Sequence, residues 1–490
     1  MRSLQTTIMW LLSIGASSML AGCAVGPDYH RPEAPKATDY APAPQADATP
    51  AKPDSGGDTQ RLIKSMDIPG QWWTLFRSAP LDALIDDALK HNPDVEAAHA
   101  ALQVAWENAY AERGAYFPTV SAGVNPTRQK NASEVASALS SNANLYTLTT
   151  AQVSVSYAPD LWGGTRRQVE SAVAQANAQR FELEATYLTL TSNLVNAAIE
   201  EASLRAQIDA TQQMIDAQTK VLDTLRRQQV LGDVAEASVA AQVAVLEQTR
   251  QALPPLRKQL DQQRDLIAAL SGRMPDQPVE AQFDLESLHL PAELPLSLPA
   301  ELVEQRPDVR ASEEQLHAAS AAIGVALANR LPNVQISASL GSASEQTSSL
   351  FTTGTGFWSI GANLTQPLFD GGSLKHKQRA AEASYRQAAA QYRSTVISAA
   401  QNVADVLHAI QADGEALVAA ERAERAAMRS LQIAGKQQAL GDISESSLLV
   451  AELTWRQASL ALIQAKAARF ADTAALFQAL GGGWWNRKDA

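Results

Sequence analysis

Four motifs occur twice in this chain of 490 residues, in the same order, and that repetition restricts its fold more than any other feature. Asn92-Pro93-Asp94-Val95 returns as Arg306-Pro307-Asp308-Val309, and Phe117-Pro118-Thr119-Val120 returns as Leu331-Pro332-Asn333-Val334. Pro159-Asp160-Leu161-Trp162-Gly163-Gly164 returns as Pro367-Leu368-Phe369-Asp370-Gly371-Gly372, and Leu231-Gly232-Asp233 as Leu440-Gly441-Asp442. An internal duplication marks a supersecondary unit used twice. Each half reads as helix, strand pair, glycine pair, long helix, Gly-Asp turn and second helix.

The helices are long. No proline falls between Pro159 and Pro254, or after Pro367. A helix over about 165–230 would extend roughly 100 Å at 1.5 Å per residue. Its apolar stripe repeats by sevens through Tyr187, Leu194, Ile208, Ile215 and Leu222. The second half carries Val396, Val403, Ile410, Leu417 and Leu431, on the same heptad positions when shifted by 209 residues. Glu201 and Glu424 each interrupt their own stripe. A sustained heptad predicts coiled-coil packing, and Gly232 and Gly441 turn each chain back into an antiparallel helix pair.

The strands alternate with period two. Ala151, Val153, Val155 and Tyr157 form one apolar set, Val334, Ile336, Ala338 and Leu340 a second, and Trp358, Ile360, Ala362 and Leu364 a third. Val120, Ala122 and Val124 form a weaker fourth. The polar positions between them are small and almost uncharged. Such alternation fits a transmembrane barrel, apolar toward lipid and polar toward a wet lumen. It also fits an ordinary sheet half buried on a soluble core. Two hairpins cannot close a barrel, and lipid tolerates no unpaired strand edge. A barrel reading therefore demands oligomerisation, and three chains would supply twelve strands.

The N-terminus bears on the choice. Arg2 precedes an apolar run from Ile8 to Leu20, too short to span a bilayer and flanked like a secretory signal. The run ends in Leu20-Ala21-Gly22-Cys23, which resembles the bacterial lipobox, with Cys23 the acceptor of diacylglycerol and of an N-palmitoyl chain. Cys23 is the only cysteine, so acylation leaves no thiol for disulfides, metal or nucleophilic catalysis. Ala24 follows it, where aspartate tends to retain lipoproteins at the inner membrane of enteric bacteria; the outer membrane is expected. Residues 24–60, rich in proline, read as a tether that is either disordered or draped over the body. The formal charge of -12 argues against nucleic acid as partner.

This order of elements resembles the outer-membrane factor family of TolC-like channels, and within it the NodT-like lipoprotein branch. The resemblance is carried by Cys23-Ala24-Val25-Gly26-Pro27-Asp28-Tyr29, Trp72-Trp73 before Leu75-Phe76, Leu81-Asp82-Ala83-Leu84-Ile85, Arg306-Pro307-Asp308-Val309 and Gln366-Pro367-Leu368-Phe369-Asp370-Gly371-Gly372. It implies a mainly α homotrimer: a twelve-stranded β-barrel in outer-membrane lipid, continuous with a long helical barrel across the periplasm. It also implies a periplasmic adaptor (membrane fusion protein) and an inner-membrane transporter, of resistance-nodulation-division type, as partners. The expected layout is a signal peptide at 1–22, a lipid-anchored tether at 23–75 and a first repeat at 76–272. The first repeat has strands near 119–126 and 150–158 and a helical hairpin over 163–271. An irregular linker follows at 273–300, then a second repeat at 301–483 with strands near 333–341 and 356–366 and a hairpin over 373–481, and a tail at 484–490.

The implied function is a passive exit duct for drugs or other small toxic compounds, energised by the transporter and gated near the helix turns. Many relatives carry an acid followed by alanine about nine residues after the second turn glycine, where this chain has Val450-Ala451. The acids nearest the turns, Asp233, Glu236, Asp442 and Glu445, are the gate candidates; they also suit the role of acids capping the returning helix. The alternatives are the outer-membrane part of a type I protein secretion system and, from another class, a periplasmic coiled-coil adaptor without a pore. An enzyme is not expected: the seven histidines are scattered, and no HExxH, phosphate loop or GxSxG occurs. No cofactor or metal site is expected. His91 and His99 read as surface residues, and Gly481-Gly482-Gly483 reads as a helix stop before a flexible end.

Overall fold

The computed structural model describes residues 24–37, 39–40, 60–132, 134 and 143–487. Its elements run β1 (Arg61–Lys64), α1 (Ala79–His91), α2 (Pro93–Arg113), β2 (Thr119–Lys130), β3 (Leu145–Tyr157), α3 (Gly164–Leu231) and α4 (Glu236–Leu270). The second half continues with β4 (Glu293–Leu296), α5 (Pro299–Gln305), α6 (Pro307–Ala328), β5 (Asn333–Ser344), β6 (Gly356–Thr365), α7 (Ser373–Ala439) and α8 (Glu445–Ala479). The fold is mainly α, with the same order of elements in both halves. Helices α3 and α7 have 68 and 67 residues, and α4 and α8 have 35 each. Among the described residues no helix is long and apolar enough to cross a membrane.

The heptad stripe does what its period dictates. Ile215 and Leu222 of α3 are buried in one cluster with Leu246 and Leu253 of α4, and Ile208, Val239 and Val243 pack against it. On α7 the stripe residues Val403, Ile410 and Leu417 are buried. Both acids that interrupt the stripes are satisfied. Buried Glu201 accepts from Arg205 at 2.8 Å, one turn along, and Glu424 accepts from the Trp455 indole at 2.7 Å. Glu201 is thus ion-paired, and half-buried Glu424 is hydrogen-bonded to a neutral donor, so neither carboxylate bears the cost of burial without a partner.

The two turns have the same construction. Gly232 adopts φ +84 and Gly441 φ +80. In the first, the Asp233 amide donates to Gln228 O and the Gly232 amide to Gln229 O; in the second, Asp442 donates to Gln437 O and Gly441 to Gln438 O. This paired closure satisfies the last carbonyls of the long helix and needs a residue that tolerates the left-handed region.

The chain divides into two compact units. The first comprises residues up to Arg31, Leu102–Ala178 and Ser312–Tyr392, and the second Pro32–Ala101, Gln179–Ala311 and Arg393 onward. The first holds an antiparallel sheet in the order β2-β3-β5-β6. Strands β2 and β3 reach past the alternating segments, to Lys130 and from Leu145, and pair along their whole length.

Two expectations are corrected. The linker 273–300 is not wholly irregular: β4 pairs in parallel with β1, joining it to a segment assigned to the tether. The glycine triplet does stop α8, but the chain beyond it is docked and not flexible. Gly481, Gly482 and Gly483 all have positive φ. A Cβ on Gly483 would lie 2.5 Å from Ile68 O. The Trp484 indole donates to Gln305 O at 2.7 Å, the Trp485 indole to Asp67 at 3.1 Å, and Arg487 reaches Glu184 at 2.9 Å. The buried Trp72 ring stacks on Phe477, with centroids 5.3 Å apart. Two adjacent tryptophans at a supposedly free end were the overlooked signal, since indoles are rarely left without a partner.

Candidate functional site

The four-stranded sheet has an apolar face built strictly by register. Val120 opposes Val155, Ala122 opposes Val153 and Val124 opposes Ala151. Val153 opposes Leu340 and Val155 opposes Ala338. Leu340 opposes Trp358, Ala338 opposes Ile360 and Val334 opposes Leu364. No bulge interrupts these ladders, so these residues keep to one side, while Tyr146, Leu148 and Phe357, near the strand ends away from the helices, have the opposite parity. A sheet on a soluble core would bury that side. Here Val120, Leu340, Trp358, Ile360 and Leu364 are exposed, Trp358 and Ile360 by 74% and 71%. The opposite face is polar and uncharged through its middle: Gln335 donates to Ser156 at 2.8 Å, and Ser339 and Ser359 are hydrogen-bonded at 2.7 Å. The outer strands β2 and β6 each keep one edge unpaired in the single chain.

The gate candidates sit at the hairpin turns. Asp233 and Asp442 are exposed in the turns themselves, and Glu236 and Glu445 open α4 and α8. The structure separates these roles. Ser444 caps α8 by accepting from the Ser447 amide at 3.2 Å, and α4 starts from Ala235 without a side-chain cap. Asp442 and Asp233 are therefore not the caps. Glu236 and Glu445 lie in a first helical turn, where a carboxylate is favoured by the helix dipole. Val450 is 63% exposed on α8. Beside the acids, Val230, Leu231 and Leu440 are exposed apolar side chains at the same turns. His91 pairs with Asp87 at 3.1 Å and His99 with the Tyr187 hydroxyl at 2.8 Å.

Leu20, Ala21, Gly22 and Cys23 lie outside the described residues, but the segment that follows them is placed. It is draped on the body, which settles one of the two tether readings for residues 24–31. The Val25 amide donates to Trp162 O at 2.9 Å, and a Cβ on Gly163 would fall 2.5 Å from Ala24. Asp28 pairs with buried Arg167 at 2.6 Å and Arg31 with Glu313 at 2.9 Å. The Tyr29 ring stacks on His317, with centroids 4.3 Å apart. Sequence reasoning missed this cluster because its members come from three distant segments.

His317 gives the clasp a pH dependence. Hydrogen bonding to Glu314 first, and then to Glu170, raises its pKa above the usual value, against the opposing effect of burial. A raised folded pKa means the stabilisation is full below the unfolded value near 6.5 and is lost as pH rises through the folded one. Amide exchange of residues 24–31 is therefore expected to speed up between pH 6 and pH 9, beyond the intrinsic base-catalysed rate. In His317→Gln that excess should disappear; a variant with the same pH response as wild type would remove His317 from the clasp.

Comparison with known proteins gives a consistent picture. Residues 84–273 and 298–482, more than half of the chain, match the profile of the family described as "Outer membrane efflux protein", one match per half. The chain is 28% identical over 417 residues to the pyoverdine export outer membrane protein OpmQ of Pseudomonas aeruginosa, covering 84% of this chain and 87% of that one. It is 27% identical to the toluene efflux pump outer membrane protein TtgC of Pseudomonas putida, covering 97% and 96%. Among solved structures, the open state of the Neisseria gonorrhoeae MtrE outer membrane channel superposes with a TM-score of 0.82 at 25% identity, covering 96% of this chain and all of that one.

Proposed function

The chain belongs to the outer membrane efflux protein family, and on that premise we propose that three copies join their sheets into one twelve-stranded barrel and their helical hairpins into a periplasmic duct. The chain is an efflux channel of the outer membrane; family and relatives are channel proteins, not enzymes. The observation that carries the assembly is the open sheet, with an exposed apolar face and two unpaired edges. In lipid such edges must be closed, and a second and third copy supply the missing partners. The duct is passive. A periplasmic adaptor docks near the turns, where Val230, Leu231 and Leu440 expose apolar surface, and a transporter of resistance-nodulation-division type supplies energy. Relatives named for pyoverdine and toluene carry different cargo, which supports a general duct for small toxic compounds whose selectivity lies in the transporter.

Two features complete the proposal. Cys23 carries the diacylglycerol and N-palmitoyl chains. The residues just after it are held against Trp162 and Gly163 in the loop between β3 and α3, which supports a lipid entering the membrane beside the sheet. Labelled palmitate is expected to enter the wild type and not Cys23→Ser, with the fold of the variant intact. Label in that variant would disprove the assignment. The second feature is the closed state. Three copies of Asp442 and Glu445 around a narrow mouth repel at short range and are the first groups a cation entering it would meet. In planar bilayers the assembled protein is expected to show discrete conductance, and Asp442→Ala with Glu445→Ala, which removes both the repulsion that opposes closure and the attraction for cations, to lower it. Folded trimer without conductance would sink the channel reading; unchanged conductance in the double variant would take those acids out of the gate.

A further inference from the structure

The four strands of the first unit contain only two charged side chains, Arg128 and Lys130, and both are basic. Both lie at the far end of β2, away from the ends that join the helices. The unbroken register from Thr119 to Lys130 fixes their side. They share parity with Val120 and Val124, so they belong to the exposed apolar face and not to the polar one. Both are exposed. Gln129 between them points the other way, where it bonds the Tyr146 hydroxyl. The acids near this end, Glu134 and Glu345, lie beyond the strands.

The distances place the pair at the headgroup level of one leaflet. Phe117, 70% exposed, stands just before β2 at its helix-joined end. Eleven residues separate it from Arg128, about 36 Å along a strand at 3.3 Å per residue. At the roughly 40° tilt of outer-membrane strands that is about 28 Å of height, close to the 25 Å apolar band of such barrels. The two cations therefore stand where the acyl chains end and the headgroups begin, on the side away from the periplasmic helices. A strand interior that needs charge for solubility would place it on the wet face. Here the charge is on the lipid side and at one level.

We propose that Arg128 and Lys130 form a binding surface for the phosphates of the phosphorylated glycolipid of the outer leaflet, of the lipid A class, with three such pairs around the trimer. The guanidinium of Arg128 suits a bidentate phosphate contact, and the Lys130 ammonium adds a point charge two residues on. Val124 and Leu145, exposed on the same face, offer apolar surface to the acyl chains below and beside the phosphate. The inference rests on the barrel reading, and the test separates the two.

The full assembled protein is inserted into phosphatidylcholine vesicles doped with bisphosphorylated lipid A, with its dephosphorylated form or with phosphatidylglycerol. Lipid retained on the re-extracted trimer is then counted by native mass spectrometry. Wild type is expected to keep bisphosphorylated lipid A over the dephosphorylated form, and Arg128→Gln with Lys130→Gln to lose about thirtyfold in that retention. Arg128→Lys with Lys130→Arg should keep most of it, and Arg226→Gln on α3 should change nothing. Equal retention by wild type and the Gln pair, or equal retention of the dephosphorylated lipid, would overturn the inference with the barrel intact. Preference for phosphatidylglycerol over lipid A would overturn it in favour of a general anionic-lipid surface. Failure of the wild type to enter any vesicle would overturn the barrel reading, and this inference with it.

Discussion

Ile360→Arg is expected to abolish assembly in the membrane, while the neighbouring Ser359→Arg assembles and changes what the pore conducts. The two residues are adjacent on β6 and point to opposite sides. Ile360 opposes Ala338 on the exposed apolar face, and Ser359 bonds Ser339 on the polar one. An arginine near the bilayer midplane costs about 2–4 kcal/mol. Each copy in the proposed trimer would bear that cost against a typical folding stability of about 5–15 kcal/mol per domain, and it falls on the strands whose pairing closes the barrel. Arginine on the wet face carries no such cost, but in the proposed trimer places three fixed positive charges in a lumen whose other strand residues carry no charge. The checks are membrane fractionation of both variants and, for Ser359→Arg, the reversal potential in a salt gradient, which should move toward anion preference. Normal insertion of Ile360→Arg together with loss of Ser359→Arg would mean that the faces are assigned the wrong way round.

The prediction is specific because register, and not composition, sorts these residues. That is also why so much of the fold could be read in the sequence. A period of two needs no tertiary knowledge, and neither does a period of seven: Leu194, Ile215, Val403 and Ile410 are buried as their spacing requires. Gly232 and Gly441 marked the turns because only a residue free of a Cβ sits easily at positive φ. What could not be read depends on contacts between distant segments. Parallel pairing of Arg61–Lys64 with Glu293–Leu296 brings together two four-residue strands more than two hundred residues apart. Neither is long enough to declare a period. The clasp of Asp28, Tyr29 and Arg31 on Arg167, His317 and Glu313 has the same origin. At the turns the sequence located Asp233, Glu236, Asp442 and Glu445, but their division between turn and first helical residue follows from where Ala235 and Ser444 place the caps.

Trp72→Ala is expected to destabilise the assembled protein by about 3–5 kcal/mol per copy, the usual cost of deleting a large buried aromatic side chain. The ring is 1% exposed, stacked on Phe477 and edge-on to Trp73 and Phe76. Its loss opens a cavity beside the glycine triplet, which cannot easily collapse. Gly483 is held at φ +71 where an added Cβ would meet Ile68 O, and the indoles of Trp484 and Trp485 are bonded to Gln305 and Asp67. Gly483→Ala should destabilise through a different route: a methyl group that meets a backbone carbonyl, on a residue in the left-handed region that costs about 1–2 kcal/mol for any Cβ. Trp485→Ala removes a more exposed ring with one indole hydrogen bond to Asp67, and should cost about 1 kcal/mol. The order Trp72→Ala, then Gly483→Ala, then Trp485→Ala is therefore expected in the thermal midpoint of the extracted protein. If deleting everything after Leu480 left that midpoint unchanged, the chain end would be the free tail its glycines suggest, and the three tryptophans would need another explanation. A large fall instead makes the last residues a structural closure of the second unit, in which the end of α8 is tied to residues 67–76, to α5 and to Glu184 of α3.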